Sequence, residues 1–192
     1  MLMPKRYHIY EEDEIVSLAG TTADNRVRIE EFLSHESALL SMHNYAAWAD
    51  LLTDDITYIV PRRVSRKRGR GEAEFEELMA HFDDNAATMA IRIKRLCEST
   101  ALWAEDPLSR VRYHHSNMRM RQLESGNDNA NEWLVVYNLL IVRNRGDQPD
   151  SDLLSAQRQD VLRETSTGFS LAKRLVLLDH AVIGAHNLSF FV

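Results

Sequence analysis

From Arg26 onward the apolar positions recur at three-and-four spacing: Ile29, Phe32, Leu33, Leu39 and Leu40, with Glu36 and His43 on the same stripe. That period predicts an amphipathic helix. Asp24 stands where its carboxylate can accept from the free backbone N–H groups of the first turn. Asn44 is expected to restart a short helix carrying Ala47, Trp48, Leu51 and Leu52, ended by Thr53-Asp54-Asp55. Ile56-Thr57-Tyr58-Ile59-Val60 then reads as a β-branched strand closed by Pro61. Residues 72–82 read as a short helix. Asp84 begins another, with Ala86, Met89, Ala90, Ile93, Leu96 and Cys97 on one apolar stripe. Residues 1–24, with Glu11-Glu12-Asp13-Glu14, read as an arm or a short first helix. The expected organisation is an arm over 1–25 and one unit over 26–192.

After residue 109 the pattern changes. Residues 110–123, 132–143, 153–163 and 169–182 are four long strand candidates joined by turn-forming stretches such as Asn144-Arg145-Gly146-Asp147 and Thr165-Ser166-Thr167-Gly168. Short links make sequential strands antiparallel neighbours. In the first of them Val111 and Tyr113 are apolar at odd positions, whereas Met118 and Met120 are apolar at even ones. A parity change within one strand predicts a bulge near residues 114–117, which would curve the sheet. Residues 133–142 are apolar on both faces, so that strand should be central, with helices on one side and a second surface, such as another subunit, on the other. Helices first and long strands afterwards give an α+β fold, a strongly curved antiparallel sheet packed on N-terminal helices.

Composition narrows this picture. A chain of 192 residues with 44% hydrophobic and 27% charged positions can bury one substantial core. A net charge of −6 argues against a nucleic-acid partner. The dense basic run Arg62, Arg63, Arg66, Lys67, Arg68 and Arg70 meets Glu72, Glu74, Glu76 and Glu77 at once, which favours an intramolecular or subunit salt network over a phosphate track. No apolar run is long enough to span a bilayer, and the first ten residues hold no apolar core of signal-peptide length. The single Cys97 leaves no partner for an internal disulfide, so a cytoplasmic chain is expected, with Cys97 itself inert and buried.

Catalytic and metal signals are sparse. A Rieske cluster takes two cysteines and two histidines, and this chain has one cysteine. A mononuclear iron site needs two histidines and a carboxylate on one face. His114-His115 and Asp179-His180 alternate faces in strands, and His35 and His43 are eight residues apart on a helix. Acid–base chemistry inside a curved sheet would draw on His43, Tyr58, His115 or Asp179. Each also has a plain structural role, as a helix end, a core aromatic or one side of an ion pair. No nucleophile elbow or phosphate loop is present.

Four blocks in fixed order resemble one family. They are Glu36-Ser37-Ala38-Leu39-Leu40-Ser41 with Trp48 and residues 51–61; Arg95-Leu96 leading to Trp103-Ala104-Glu105-Asp106-Pro107-Leu108-Ser109-Arg110; Ser116-Asn117; and Arg158-Gln159-Asp160-Val161-Leu162-Arg163 with residues 171–179 and 187–191. Over most of residues 26–192 the chain resembles the small (β) subunit of the Rieske-type aromatic-ring-hydroxylating dioxygenases. Three positions depart from the family pattern: Ser41 where Asp is usual, Leu108 where a second proline is common, and Gln159 where Glu is frequent. The resemblance implies a cone of the nuclear-transport-factor-like and ketosteroid-isomerase-like type. It also implies a structural subunit with no catalytic residue or cofactor of its own. The partner large (α) subunit is expected to carry the Rieske [2Fe–2S] cluster and mononuclear Fe(II). The expected assembly is α3β3 on a β trimer, served by a reductase or ferredoxin with NADH-derived electrons, without nucleic acid or membrane. Interface or structural candidates are Trp103, Glu105, Asp106, Pro107, Arg110, Arg66, Arg68 and Arg174. Glu105 and Asp106 would form an acidic turn ahead of Pro107, with Arg110 and Arg174 as bidentate partners. The basic 62–70 loop is the candidate face toward the large subunit. A free-standing cone isomerase or dehydratase with its own acid–base pocket is the enzymatic alternative, and an unrelated assembly module the other.

Overall fold

The computed structural model describes residues 7–16, 21–67, 73–98, 107–123, 131–185 and 187–192. A short α1 (Glu12–Val16) lies in the arm, followed by α2 (Ala23–Ser41) and α3 (Tyr45–Ala49). Six strands make one sheet: β1 (Leu52–Arg63), β2 (Phe75–Asn85), β3 (Arg110–Gln122), β4 (Glu132–Asn144), β5 (Asp152–Thr165) and β6 (Gly168–Leu178), with α4 (Ala86–Glu98) between β2 and β3. The strand order is β2-β1-β6-β5-β4-β3. Four neighbouring pairs are antiparallel, whereas β1 and β6 run parallel, a pairing that the short connections of the later strands could not reveal.

The α2 stripe is as expected: Ile29, Phe32, Leu33, Glu36, Leu39 and Leu40 are buried against the sheet. Its cap is Thr22 rather than Asp24, the Thr22 hydroxyl accepting from the Asn25 N–H at 3.3 Å. At the other end His43 adopts φ +56°, the His43 N–H reaches Leu40 O at 3.1 Å, and the Asn44 N–H reaches Leu39 O at 2.9 Å. These two bonds close the helix as a left-handed C-terminal turn. Asn44 caps α3 as its sequence predicts.

The expected helix over 72–82 is a strand. Phe75-Glu-Glu-Leu-Met is rich in helix formers, but β2 is an edge strand whose ladder with β1 overrides propensity. Arg62 binds Glu76 at 2.8 and 2.9 Å, Arg63 meets Glu74 at 2.5 Å, and the Arg63 guanidinium lies over the Phe75 ring. β1 continues through Pro61, with register shifts on either side of it, instead of stopping there. Helix α4 is capped by Asn85 rather than started by Asp84, the Asn85 side chain accepting from the Thr88 N–H at 3.0 Å. Cys97 is exposed, because α4 buries Met89 and Ile93 and the rim of its stripe faces solvent.

The predicted bulge is present. Ser116 faces Asn138 and Arg119 faces Val136, so β3 carries one residue more than β4, and Asn117 sits at φ +53°. Before the bulge Val111 packs inward, and after it Met120 does. β4 is buried on both faces over residues 133–137, whereas Asn138 and Leu140 of its outer row are exposed. At Leu134 and Val136 the outer face is covered within the chain by Ile15 of the arm.

Candidate functional site

The inner face of the sheet opposite α2 carries charge where apolar side chains would be expected. On β5, Arg158 and Asp160 continue the inward row of Leu154 and Ala156. Arg174 of β6 and Glu36 of α2 meet them, and all four are exposed by 1% or less. Arg174 Nη1 and Nη2 clamp the two Glu36 oxygens at 2.7 and 2.9 Å. Arg174 Nε and Nη2 reach Asp160 at 2.9 and 2.7 Å. Tyr137 of β4 donates to Asp160 at 2.8 Å, and Trp48 Nε1 donates to Glu36 at 2.9 Å. Arg158 is held more loosely: its Nη1 donates to the Tyr137 hydroxyl at 3.2 Å and lies 3.5 Å from Glu36, while Nε and Nη2 have no hydrogen-bond partner among the described residues.

Two acids and two guanidiniums make the cluster neutral, the condition under which buried charge is tolerable. Burial alone would raise the Glu36 carboxyl. The Arg174 and Arg158 charges, with hydrogen bonds from Arg174 and Trp48, outweigh it and hold Glu36 at about 2. His115 points into the same interior, 3.2 Å from the Ser37 hydroxyl and edge-on to Tyr137. Burial, with Arg158 beside it, lowers its imidazole to about 4, so it is neutral at pH 7. Burial raises the Tyr58 phenol. The interior thus holds an acid and a histidine, but the acid is a fixed anion clamped bidentately and the histidine is poorly basic. Neither is poised for proton transfer near neutrality.

The other acid–base candidates have structural roles. Asp179 is exposed, accepting from Ser155 Oγ at 2.5 Å with Arg63 at 3.8 Å. Tyr58 donates to Val192 O, and His43 closes α2. Among the described residues no cluster of three or more His, Cys, Asp or Glu could hold a metal ion. With one cysteine in the chain the donor set does not fit a Rieske cluster either.

The interface candidates divide. Trp103, Glu105, Asp106 and Arg68 lie outside the described residues. Pro107 and Arg110 are exposed and both meet the β4–β5 turn: Arg110 donates to Gly146 O at 2.9 Å, and a Cβ on Gly146 (φ +49°) would lie 3.4 Å from the Pro107 ring. The pairing of Arg110 and Arg174 with the 105–106 acidic turn falls on residues outside the described ones; among the described residues the Arg174 guanidinium meets Glu36 and Asp160. Arg66 is exposed, and its charge helps lower the Glu76 carboxyl after the larger contribution of Arg62. The residues that build the interior, Glu36, Tyr137, Arg158 and Asp160, were not singled out for chemistry. Their signal was a charge at an apolar position of its element's period.

Comparison with known proteins places this arrangement. The family model described as ring hydroxylating beta subunit matches residues 35–185. The chain belongs to the ring-hydroxylating β-subunit family. It is 36% identical over 167 residues to the β subunit of biphenyl 2,3-dioxygenase from Rhodococcus jostii (strain RHA1), covering 85% of this chain and 86% of that one. It is 32% identical over the same length to the β subunit of benzene 1,2-dioxygenase from Pseudomonas putida, with the same coverage. A solved structure of naphthalene 1,2-dioxygenase with indole bound superposes at a TM-score of 0.83, with 18% identity, 97% of this chain and 95% of that one covered. That likeness establishes the cone fold, and this β subunit fills its cone with the Glu36–Arg174–Asp160–Arg158 cluster and not with an acid–base pocket. The isomerase or dehydratase alternative is not favoured.

Proposed function

We propose that this β subunit is the structural small subunit of the terminal oxygenase of a multicomponent dioxygenase that dihydroxylates aromatic compounds. The observation that carries the reading is the family match over residues 35–185. In this reading the large subunit holds the Rieske [2Fe–2S] cluster and the mononuclear Fe(II). The subunits assemble as α3β3 on a β trimer, and a reductase or ferredoxin delivers electrons from NADH. The cytoplasm, where NADH is generated, is the compartment it requires. No helix among the described residues is long and apolar enough to cross a membrane. Residues 26–192 act as one unit, with 1–25 as an arm.

The test is purification of the chain alone and with its co-expressed large subunit, recording mass, iron content and arene-dependent NADH oxidation. The chain alone should be iron-free and inactive, and should join a larger iron protein in active oxygenase. A lone chain that turns over a small molecule without iron overturns the reading. We assign the basic 62–70 loop to the large-subunit contact. The pair Arg66→Glu and Arg68→Glu should then lower the yield of mixed complex at moderate salt, and an unchanged yield removes the loop from the interface.

A further inference from the structure

The segment 187–192 is neither helix nor strand, yet Phe190, Phe191 and Val192 are exposed by 2% or less. No main-chain hydrogen bond among the described residues involves those three. Their carbonyls are instead taken by side chains from three separate elements. Arg92 of α4 donates to Phe190 O at 3.4 Å, Tyr113 of β3 to Phe191 O at 2.8 Å, and Tyr58 of β1 to Val192 O. Arg143 of β4 holds the start of the segment, its Nη1 donating to Asn187 Oδ1 at 2.7 Å.

The Phe191 ring sits in a box of aromatic rings. Its centroid is 4.2 Å from that of Trp48, 5.5 Å from Tyr45 and 6.1 Å from Tyr58. The Arg92 guanidinium lies 4.4 Å from the same centroid, over a ring face whose quadrupole attracts a cation. The Trp48 contact is tilted and those of the two tyrosines are edge-to-face, the geometries that give aromatic pairs their specific attraction. Side-chain donors converging on carbonyls, with a ring in a walled pocket, are the means by which proteins hold ligands. Here the ligand is part of the chain.

We propose that Tyr45, Trp48, Tyr58 and Arg92 form a binding site for a flat, electron-rich aromatic ring, and that Phe191 is its resident occupant in cis. Tethering gives the Phe191 ring a high effective concentration, so free aromatic molecules are denied the box. The inference is independent of the subunit reading, because the box, its donors and its occupant all belong to this chain.

The test uses the full chain carrying Phe191→Ala, with benzene and hexafluorobenzene as probes. A vacated box should bind benzene and raise the melting temperature of the variant by a few degrees at millimolar ligand, leaving the parent protein unmoved. Hexafluorobenzene has the opposite quadrupole and should bind several-fold more weakly. Adding Arg92→Met should narrow that preference, a result that a mere apolar void does not predict. A parent protein stabilised as much as the variant overturns cis occupation. A folded Phe191→Ala protein that responds to neither probe, or that ranks them equally, overturns the site. If the variant is unfolded alone, benzene should restore its near-ultraviolet circular dichroism, and failure to do so counts equally against the site.

Discussion

Glu36 shows how one residue ties the interior to solution conditions. Its carboxyl sits at about 2 in the folded chain against an ordinary value of 4.5. Because the folded value is the lower one, its contribution is complete above about pH 4.5 and disappears as pH falls toward 2. That contribution is on the order of 3 kcal/mol. Glu36→Gln leaves two buried guanidiniums with Asp160 as the one anion of the cluster and should cost about 3–5 kcal/mol in urea unfolding at pH 7. The gap between parent and variant should shrink between pH 4.5 and 2. A gap that stays constant across that window means that Glu36 is protonated in the fold. The charge itself was visible in the sequence, as a carboxylate on the Ile29–Leu40 stripe, but its partners were not. Arg174 comes from a strand 138 residues away, and no spacing rule brings the two together.

At the scale of elements, legibility followed periodicity. The stripe of α2 is plain because its period repeats over more than ten residues, and the four long strands because long apolar-rich runs alternate with turn-forming stretches. β2 was misread as helix because propensity is a weak prior at a sheet edge, where the cross-strand pairs Arg62–Glu76 and Arg63–Glu74 decide the conformation. Cys97 was misplaced because a stripe says which residues share a face, not how far the packed surface extends around the helix. The bulge was predicted from parity alone and can be tested by substitution. Asn117 holds φ +53°, where a branched side chain clashes with its own backbone. Asn117→Val should lower stability by about 1–2 kcal/mol, whereas Asn117→Gly should change it by only a few tenths. Equal losses in thermal unfolding would show that the asparagine side chain, and not its backbone conformation, sets the bulge. The bulge is what lets Val111 and Met120, on opposite parities, both face the core.

Across the molecule, the sheet has two packed faces of different character. The inner face is closed by α2, the charged cluster and the 187–192 segment, and the outer face is partly covered by the arm. Beside the Ile15 packing and the bond from the Tyr7 hydroxyl to Glu76 O at 2.9 Å, Gln159 holds the arm at Tyr10: it accepts from the Tyr10 N–H at 2.9 Å and donates to the Tyr10 carbonyl at 3.0 Å and to Gln157 at 2.9 Å. An amide offers both a donor and an acceptor to one residue in this way, whereas an ionised carboxylate only accepts. A carboxylate there would face the Tyr10 and Gln157 oxygens as acceptor against acceptor. Gln159→Glu should therefore loosen the arm at Tyr10 while leaving the inner face intact. The lost donor and the unpaired oxygens amount to about 1–3 kcal/mol of local stability. Hydrogen exchange at the Tyr10 amide should accelerate by at least about tenfold, with exchange at the inner-face strands β4 and β5 unchanged. Acceleration in all three would instead mean that the arm and the sheet open as one unit, and that the outer cover helps hold the whole molecule together.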